Sequence, residues 1–173
     1  MADQYLFDDW FKVSKSAEIS ECGQYRWWLR RSWVRRDSET KTVCFVMLNP
    51  SVADGIVDDP TIRRCIGFTR SWGYSVLSVR NLFPFRATEP RSLLTATEPT
   101  GGERGDVELM AAKTADLVIA AWGSWVPFGR DLVALRMLNG KDLHCLGTTK
   151  SGSPRHPLYV KGDVEPTIFQ TGV

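Results

Sequence analysis

Val43-Cys44-Phe45-Val46-Met47-Leu48-Asn49-Pro50-Ser51 is the stretch that decides the fold. Thr42 to Leu48 is apolar almost without interruption. A strand with one wet face would alternate; a continuous run predicts a strand buried on both faces, as in a parallel sheet covered by helices. The run then breaks off at a polar Asn and a Pro, which cannot donate to a sheet ladder.

The same form recurs downstream. Val76-Leu77-Ser78-Val79-Arg80 runs into Asn81-Leu82. Leu117–Ala121 ends in Trp122-Gly123, and Leu143–Leu146 is a fourth apolar run. Helical segments lie between them. Asp59-Pro60 marks a helix start, with Asp as N-cap and Pro in the first turn. Ile62, Cys65, Ile66 and Thr69 then recur at helical spacing, up to a stop at Gly73. Asp106–Thr114 and Gly129–Met137 read as further helices, with Pro90–Leu94 as a short turn or helix start and Thr97–Gly105 as a loop. Strands alternating with helices predict an α/β fold: a three-layer α/β/α sandwich with a mainly parallel central sheet.

At 173 residues, 43% of them hydrophobic and 24% charged, the chain suits one soluble domain over 1–173. Residues 1–24 form a lead-in, anchored by Tyr5, Leu6, Trp10, Phe11 and Val13, and 161–173 a tail within a mostly loop-like 148–173. The segment from Gln24 to Val34 reads as an early strand or hairpin, turning at Asp37-Ser38-Glu39-Thr40. No apolar run reaches the roughly 18 residues of a membrane span. The acidic N-terminus lacks the basic and apolar regions of a secretory signal. The expected location is the cytoplasm, where Cys22, Cys44, Cys65 and Cys145 would be free thiols. Their wide spacing, with no close ligand pair, does not suggest a metal, and no cofactor motif is present.

A net charge of +2 makes no global electrostatic case for nucleic acid. Locally, Arg26, Arg30, Arg31, Arg35 and Arg36 interleave with Trp27, Trp28 and Trp33. Such a stretch could hold phosphates and stack bases. The simpler reading, a hairpin with a buried aromatic face and Arg on the wet face, is preferred.

Function is expected at the carboxyl ends of the strands, where open α/β sheets bind ligands. Asn49 and Asn81 both stand there, and an amide offers the donor and acceptor that suit the edge of a planar base. Ser51, Asp54, Asp58 and Asp59 follow the first strand. N-capping accounts for Asp59 and leaves Asp58 ambiguous, so Asp54 is the carboxylate nominated for general-base work. The loop Lys150-Ser151-Gly152-Ser153-Pro154-Arg155-His156-Pro157 offers backbone N–H groups and cations to phosphates. His156 is the acid or electrophile candidate, while His144, in an apolar strand, reads as structural.

Two resemblances follow from these residues. Asn-Pro-Ser-x-Ala-Asp (49–54), Asp-Asp-Pro-Thr-Ile-Arg-Arg-Cys (58–65) and Ser-Pro-Arg-His-Pro-Leu-Tyr (153–159) resemble the signature of an uncharacterised bacterial family, over roughly Tyr25–Val160. More distantly, the chain resembles the uracil-DNA glycosylase superfamily, above all its mismatch-specific and single-strand-selective branches. Met47-Leu48-Asn49-Pro50-Ser51 is similar to the first motif, and Asn81-Leu82 with Arg86–Pro90 to the Asn-bearing second strand. Ala120-Ala121-Trp122-Gly123 is similar to the family's Leu-Leu-Trp-Gly run, and Ser151–Arg155 to its minor-groove loop.

The glycosylase resemblance covers about residues 42–157. It implies a uracil-DNA glycosylase-like fold and a monofunctional DNA glycosylase without cofactor or obligate protein partner. Its substrate would be duplex or single-stranded DNA with one base flipped out. Asn81 would read the base edge, with Pro50 and Ser51 helping to bind it. Asn49 would position the attacking water, and Asp54 would favour the sugar cation. Lys150, Ser151, Ser153, Pro154 and Arg155 would hold the DNA. The family's loop His aligns with Ser151 here, so either His156 takes its role or leaving-group stabilisation is weaker, which would suit a base that already leaves well. The first motif carries Asn49 instead of the Asp of the fastest uracil enzymes, which argues against plain uracil specificity. A damaged base, or a hypermodified one in foreign DNA such as a phage genome, is the expected target. The other two readings are a non-catalytic nucleotide or nucleic-acid binding module on the same fold, and a hydrolase of free nucleosides or nucleotides.

Overall fold

The computed structural model describes residues 11–35 and 39–172. Tyr5, Leu6, Trp10, Arg36, Asp37 and Ser38 lie outside them, and of Phe11 and Arg35 the backbone alone is described.

One seven-stranded sheet organises the chain, with strands β1 (Phe11–Ile19), β2 (Arg26–Arg35), β3 (Thr42–Met47), β4 (Val76–Asn81), β5 (Leu117–Ala120), β6 (Leu143–Cys145) and β7 (Thr167–Gln170). Their spatial order is β1-β2-β4-β3-β5-β6-β7. β4, β3, β5 and β6 are mutually parallel and form the centre. Antiparallel strands extend it at both edges, β2 and β1 beside β4 and β7 beside β6. The lead-in thus contributes a strand, β1, and the loop-like tail contributes β7.

Helices α1 (Pro60–Ser71), α2 (Gly102–Met110) and α3 (Arg130–Met137) cover the sheet. α1 carries the β3-to-β4 crossover and buries Ile62, Cys65 and Phe68 against Phe45, Leu77, Val79 and Ile119. The opposite sheet face, with Cys44, Val46, Val118 and Ala120, packs on Leu109 of α2 and Ala134 of α3. Both faces of β3 are therefore covered, which is why its run does not alternate. The core is three layers, helix–sheet–helix.

Asp59 caps α1 as the sequence predicts, its Oδ1 accepting from Ile62 N–H at 2.8 Å. α2 begins earlier than its apolar pattern suggests. Gly101 and Gly102 take left-handed backbone (φ +69° and +61°), which lets the chain turn directly into the helix. Within it, a Cβ at position 105 would stand 1.8 Å from the Thr100 carbonyl oxygen, so Gly105 permits the tight entry.

A bulge shapes the β2 edge. Glu18 pairs with Trp28 but Ile19 pairs with Arg26, leaving Trp27 as an extra residue. Such an insertion re-aims the side chains on either side of it. Trp27 meets Gly101 and lies under the Arg104 guanidinium at 4.5 Å, and Trp28 bonds Glu18, on the α2 side. Arg26, with Leu29 and Arg31, faces the α1 side, where it bonds the Ala53 carbonyl. The preferred hairpin reading is corrected in its polarity. Arg26 and Arg31 are both 2% exposed, and Trp28 and Trp33 are half-buried.

Candidate functional site

A cavity of about 450 Å³ opens at the carboxyl end of β3, between the exits of β3 and β5. Strand order reverses there: the chain goes from β3 to β4 on one side, then to β5 on the other. Ligands bind at such switch points in open α/β sheets. Asn49, Ser51, Asp59, Trp122, Gly123, His156 and Tyr159 line it, with Arg26 among them. The volume falls in the roughly 300–1,000 Å³ of small-molecule sites.

Asn49 is aimed by backbone. Leu82 N–H donates to the Met47 carbonyl at 2.8 Å and Phe83 N–H to the Leu48 carbonyl at 2.9 Å, carrying the β3–β4 pairing past the strand ends. The Asn49 amide then donates to the carbonyls of Pro50 (3.0 Å) and Ala87 (2.8 Å). Both its hydrogens are committed, so the group left for a ligand is Oδ1, an acceptor.

Asp59 also reaches the cavity, a role its capping had concealed. One carboxylate oxygen holds the helix N-terminus; the other has no hydrogen-bond partner among the described residues. The carboxylate acts on His156 and on Arg26, favouring the charged form of each.

His156 stands at the cavity as expected. Its Nδ1 accepts from Leu158 N–H at 3.3 Å, which assigns the neutral ring as the Nε2–H tautomer. Burial pulls its pKa below the ordinary 6.5, against the pull of Asp59. At neutral pH the ring is an uncharged donor.

Two nominated residues stand outside the cavity lining. Asp54 does not line the cavity. Its Oδ1 accepts from Ile56 N–H (2.7 Å) and Val57 N–H (2.8 Å), closing a turn, and these bonds hold its carboxyl below the usual range. Asn81 does not line the cavity either. It pairs in register with Met47, two residues short of Asn49 and so about 6.6 Å deeper along the strands. Arg26 lies between it and the cavity, its Nη2 donating to Asn81 Oδ1 at 3.1 Å.

Asp58 is structural. It bridges Lys15 and the buried Arg31, each at 2.7 Å. Arg31 also donates to the carbonyls of Asp54 and Val57 and so ties down the whole loop. Pro50 is buried, its carbonyl bonded to Asn49 and to Ala87 N–H, while Ser51 lines the cavity.

The 148–157 loop folds on itself. Thr149 N–H donates to the Ser153 carbonyl (2.9 Å), and Gly152 turns with φ +81°. Gly123 N–H donates to the Pro154 carbonyl at 3.0 Å, docking the loop on the exit of β5. Lys150, Ser151 and Arg155 are exposed, and Arg155 lines a smaller adjoining cavity of about 170 Å³, shared with His156 and Tyr159. Two rim aromatics escaped sequence reasoning, Trp125 and Tyr159, exposed by 37% and 77%. Pattern analysis seeks apolar residues for the core and has no signal for those left outside.

Among the described residues no group of three His, Cys, Asp or Glu side chains is placed to hold a metal ion, and no helix is long and apolar enough to cross a membrane.

A family profile described as "Protein of unknown function (DUF1643)" matches residues 26–158, from the first residue of β2 to the loop beside the cavity. The chain belongs to that family. No curated protein and no solved structure matches it. The stretch shared with the DUF1643 family includes Arg26, Asn49, Asp59 and His156, four of the polar residues that line the cavity.

Proposed function

We propose that this DUF1643 chain is a DNA glycosylase on a uracil-DNA glycosylase-like fold, hydrolysing the bond between a flipped base and its sugar. The observation that carries the reading is the polar set on one cavity wall: an acceptor oxygen (Asn49), a carboxylate (Asp59) and a neutral imidazole N–H (His156).

Hydrolysis of an N-glycosidic bond needs a water held by acceptors, stabilisation of a sugar cation, and stabilisation of the base as it leaves with the bonding electrons. Asn49 Oδ1 would accept from the water. The second oxygen of Asp59 would take up its proton and favour the sugar cation, the work first assigned to Asp54. His156 Nε2–H would donate to the departing base. A fixed donor aimed at the atom where negative charge develops stabilises that charge. Trp125, 37% exposed on the cavity wall, is an aromatic on which a base could stack. Lys150 and Arg155, exposed beside the mouth, would meet phosphates.

The test is a panel of labelled duplex and single-stranded oligonucleotides bearing uracil, mismatches and deaminated, alkylated and hypermodified bases. Alkali-labile breaks with wild-type protein, absent with Asn49→Ala, support the reading and name the base. Intact strands throughout, with DNA or nucleotide still bound, would move the protein to the non-catalytic module. Hydrolysis of free nucleosides without salt-dependent DNA affinity would make it a nucleoside hydrolase.

A further inference from the structure

The floor of the cavity holds a cation that none of these steps uses. Arg26 is 2% exposed and lines the cavity. Among the described residues it forms no ion pair: Nη1 donates to the Ala53 carbonyl (3.0 Å), Nη2 to Asn81 Oδ1 (3.1 Å), and buried Nε has no partner. Below it Asn81, itself 6% exposed, keeps a buried Nδ2 with no partner. Asp59 shares the cavity but stays beyond ion-pair distance. Burial draws the Arg26 pKa down to about 10, with Asp59 acting the other way, so the group is a cation at neutral pH.

A buried guanidinium with spare donors and no carboxylate against it is costly to maintain. A ligand that brings an acceptor removes the cost. The bulge at Trp27 is the device that turns Arg26 onto this face, and Asn81 and Ala53 hold it there.

We propose that Arg26, positioned by Asn81, is the site's binding group for the acceptor edge of a planar heterocycle, and that it prefers the anionic form of that ring. For the reaction this rests on the glycosylase reading; the binding does not. As the bond from the anomeric carbon to the base nitrogen breaks, its electron pair passes to the ring. The water oxygen bonds to the anomeric carbon and loses a proton to Asp59, and the base nitrogen is later protonated from solvent. Arg26 holds the ring while it carries the negative charge. Asn81 is a positioning residue, acting through Arg26.

Two measurements test this. The first uses barbiturate, a pyrimidine that is an anion at neutral pH, with uracil as its neutral counterpart. Nitrogen-15 spectra of the arginine Nε–H groups follow both titrations. The Arg26 signal, assigned by its loss in Arg26→Gln, is expected to shift with barbiturate at concentrations where uracil has little effect, and Asn81→Ala is expected to weaken barbiturate binding. An Arg26 signal unmoved by barbiturate overturns the proposal, whatever becomes of the glycosylase reading.

The second measurement applies once a substrate base is known. Arg26→Gln is expected to lower kcat by about 10²–10³, the usual loss for one donor to a developing anion, with a smaller change in KM. The defect is expected to shrink along a series of ring-halogenated substrates whose bases leave more readily. A variant that is merely misfolded would show the same defect on every member, and Arg26→Lys, which keeps the charge, is expected to recover part of the rate. An equal defect across the series, or none, overturns the catalytic half. Cleavage with no Arg26 dependence leaves the glycosylase reading standing and removes Arg26 from the reaction; barbiturate binding without cleavage of any substrate removes the glycosylase reading and leaves the binding half standing.

Discussion

The side-chain amide of Asn49 donates to the carbonyl of Ala87 at 2.8 Å, across 38 residues of chain. With the second bond to the Pro50 carbonyl, this makes residue 49 a donor to the protein and an acceptor to the cavity. An Asp there would be a different object. Its carboxylate would face two carbonyl oxygens with no hydrogen to give them. Asn49→Asp is expected to lose about 1–3 kcal/mol at pH 7, roughly 2–4 °C of Tm per kcal/mol for a chain of this size. A protonated Asp can donate to Ala87, so the folded variant would hold its proton above the unfolded pKa of about 3.9. That stabilisation is present at low pH and lost as pH rises, so the Tm gap to wild type should narrow on going from pH 7 to about 4. A gap independent of pH would contradict the hydrogen-bond assignment.

Asp59 and Asp54 separate cleanly by substitution. Asn caps helices as well as Asp does, so Asp59→Asn is expected to keep α1 and the melting temperature while losing cleavage by about 10²–10⁴-fold, the range of a general base. Asp59→Ala should lose the cap as well, about 0.5–2 kcal/mol. Asp54→Asn, outside the cavity, is expected to retain activity. Comparable activity loss in Asp54→Asn and none in Asp59→Asn would restore the assignment first read from the sequence.

The contrast shows what a sequence discloses. The parallel core is legible because β3 and β5 are buried on both faces, and β3, β4 and β5 each end abruptly in a polar or turn residue. The cap at Asp59 was legible because Asp-Pro opens a helix by local chemistry. The cap uses one carboxylate oxygen, and nothing in the local pattern marks the second. Asn81 was misplaced for a different reason. Two strands that each end in Asn look alike, and depth in the cavity is set by register, which pairs Asn81 with Met47 and not with Asn49. Arg26 was invisible because its direction depends on a one-residue bulge between β1 and β2, a non-local feature.

His156 sets an acid limit. Its folded pKa lies below the ordinary 6.5 because burial disfavours the charged ring. Protonation would put a hydrogen on Nδ1, where Leu158 N–H now donates, and release the ring from its orientation, so cleavage is expected to fall on an acid limb with its midpoint below 6.5. Linkage has the same sign. The unfolded chain binds the proton more readily, so this contribution to stability is complete above about pH 6.5 and is lost as pH falls through the folded pKa. His156→Gln is expected to lower the rate and remove that limb from the kcat profile. A limb that survives the substitution unchanged would assign it to another group.

Asp58 should behave as a structural carboxylate. Burial raises its pKa, but the bonds from Lys15 and Arg31 outweigh this and hold it below the ordinary value. Removing it leaves Arg31, 2% exposed, without its ion-pair partner. Breaking a buried pair from one side costs about 3–5 kcal/mol. Asp58→Ala is therefore expected to lower Tm sharply and to free the loop that Arg31 ties down, with activity falling in step with the folded fraction. The wild-type bridge has the opposite pH sign to the Asn49→Asp variant. The stability Asp58 supplies is present above its unfolded pKa of about 3.9 and is lost as pH falls through the folded one. Melting curves from pH 7 downward should show wild type losing stability in acid while Asp58→Ala, already without the bridge, loses less. A variant that melts with wild type but fails to cleave would place Asp58 in the chemistry after all.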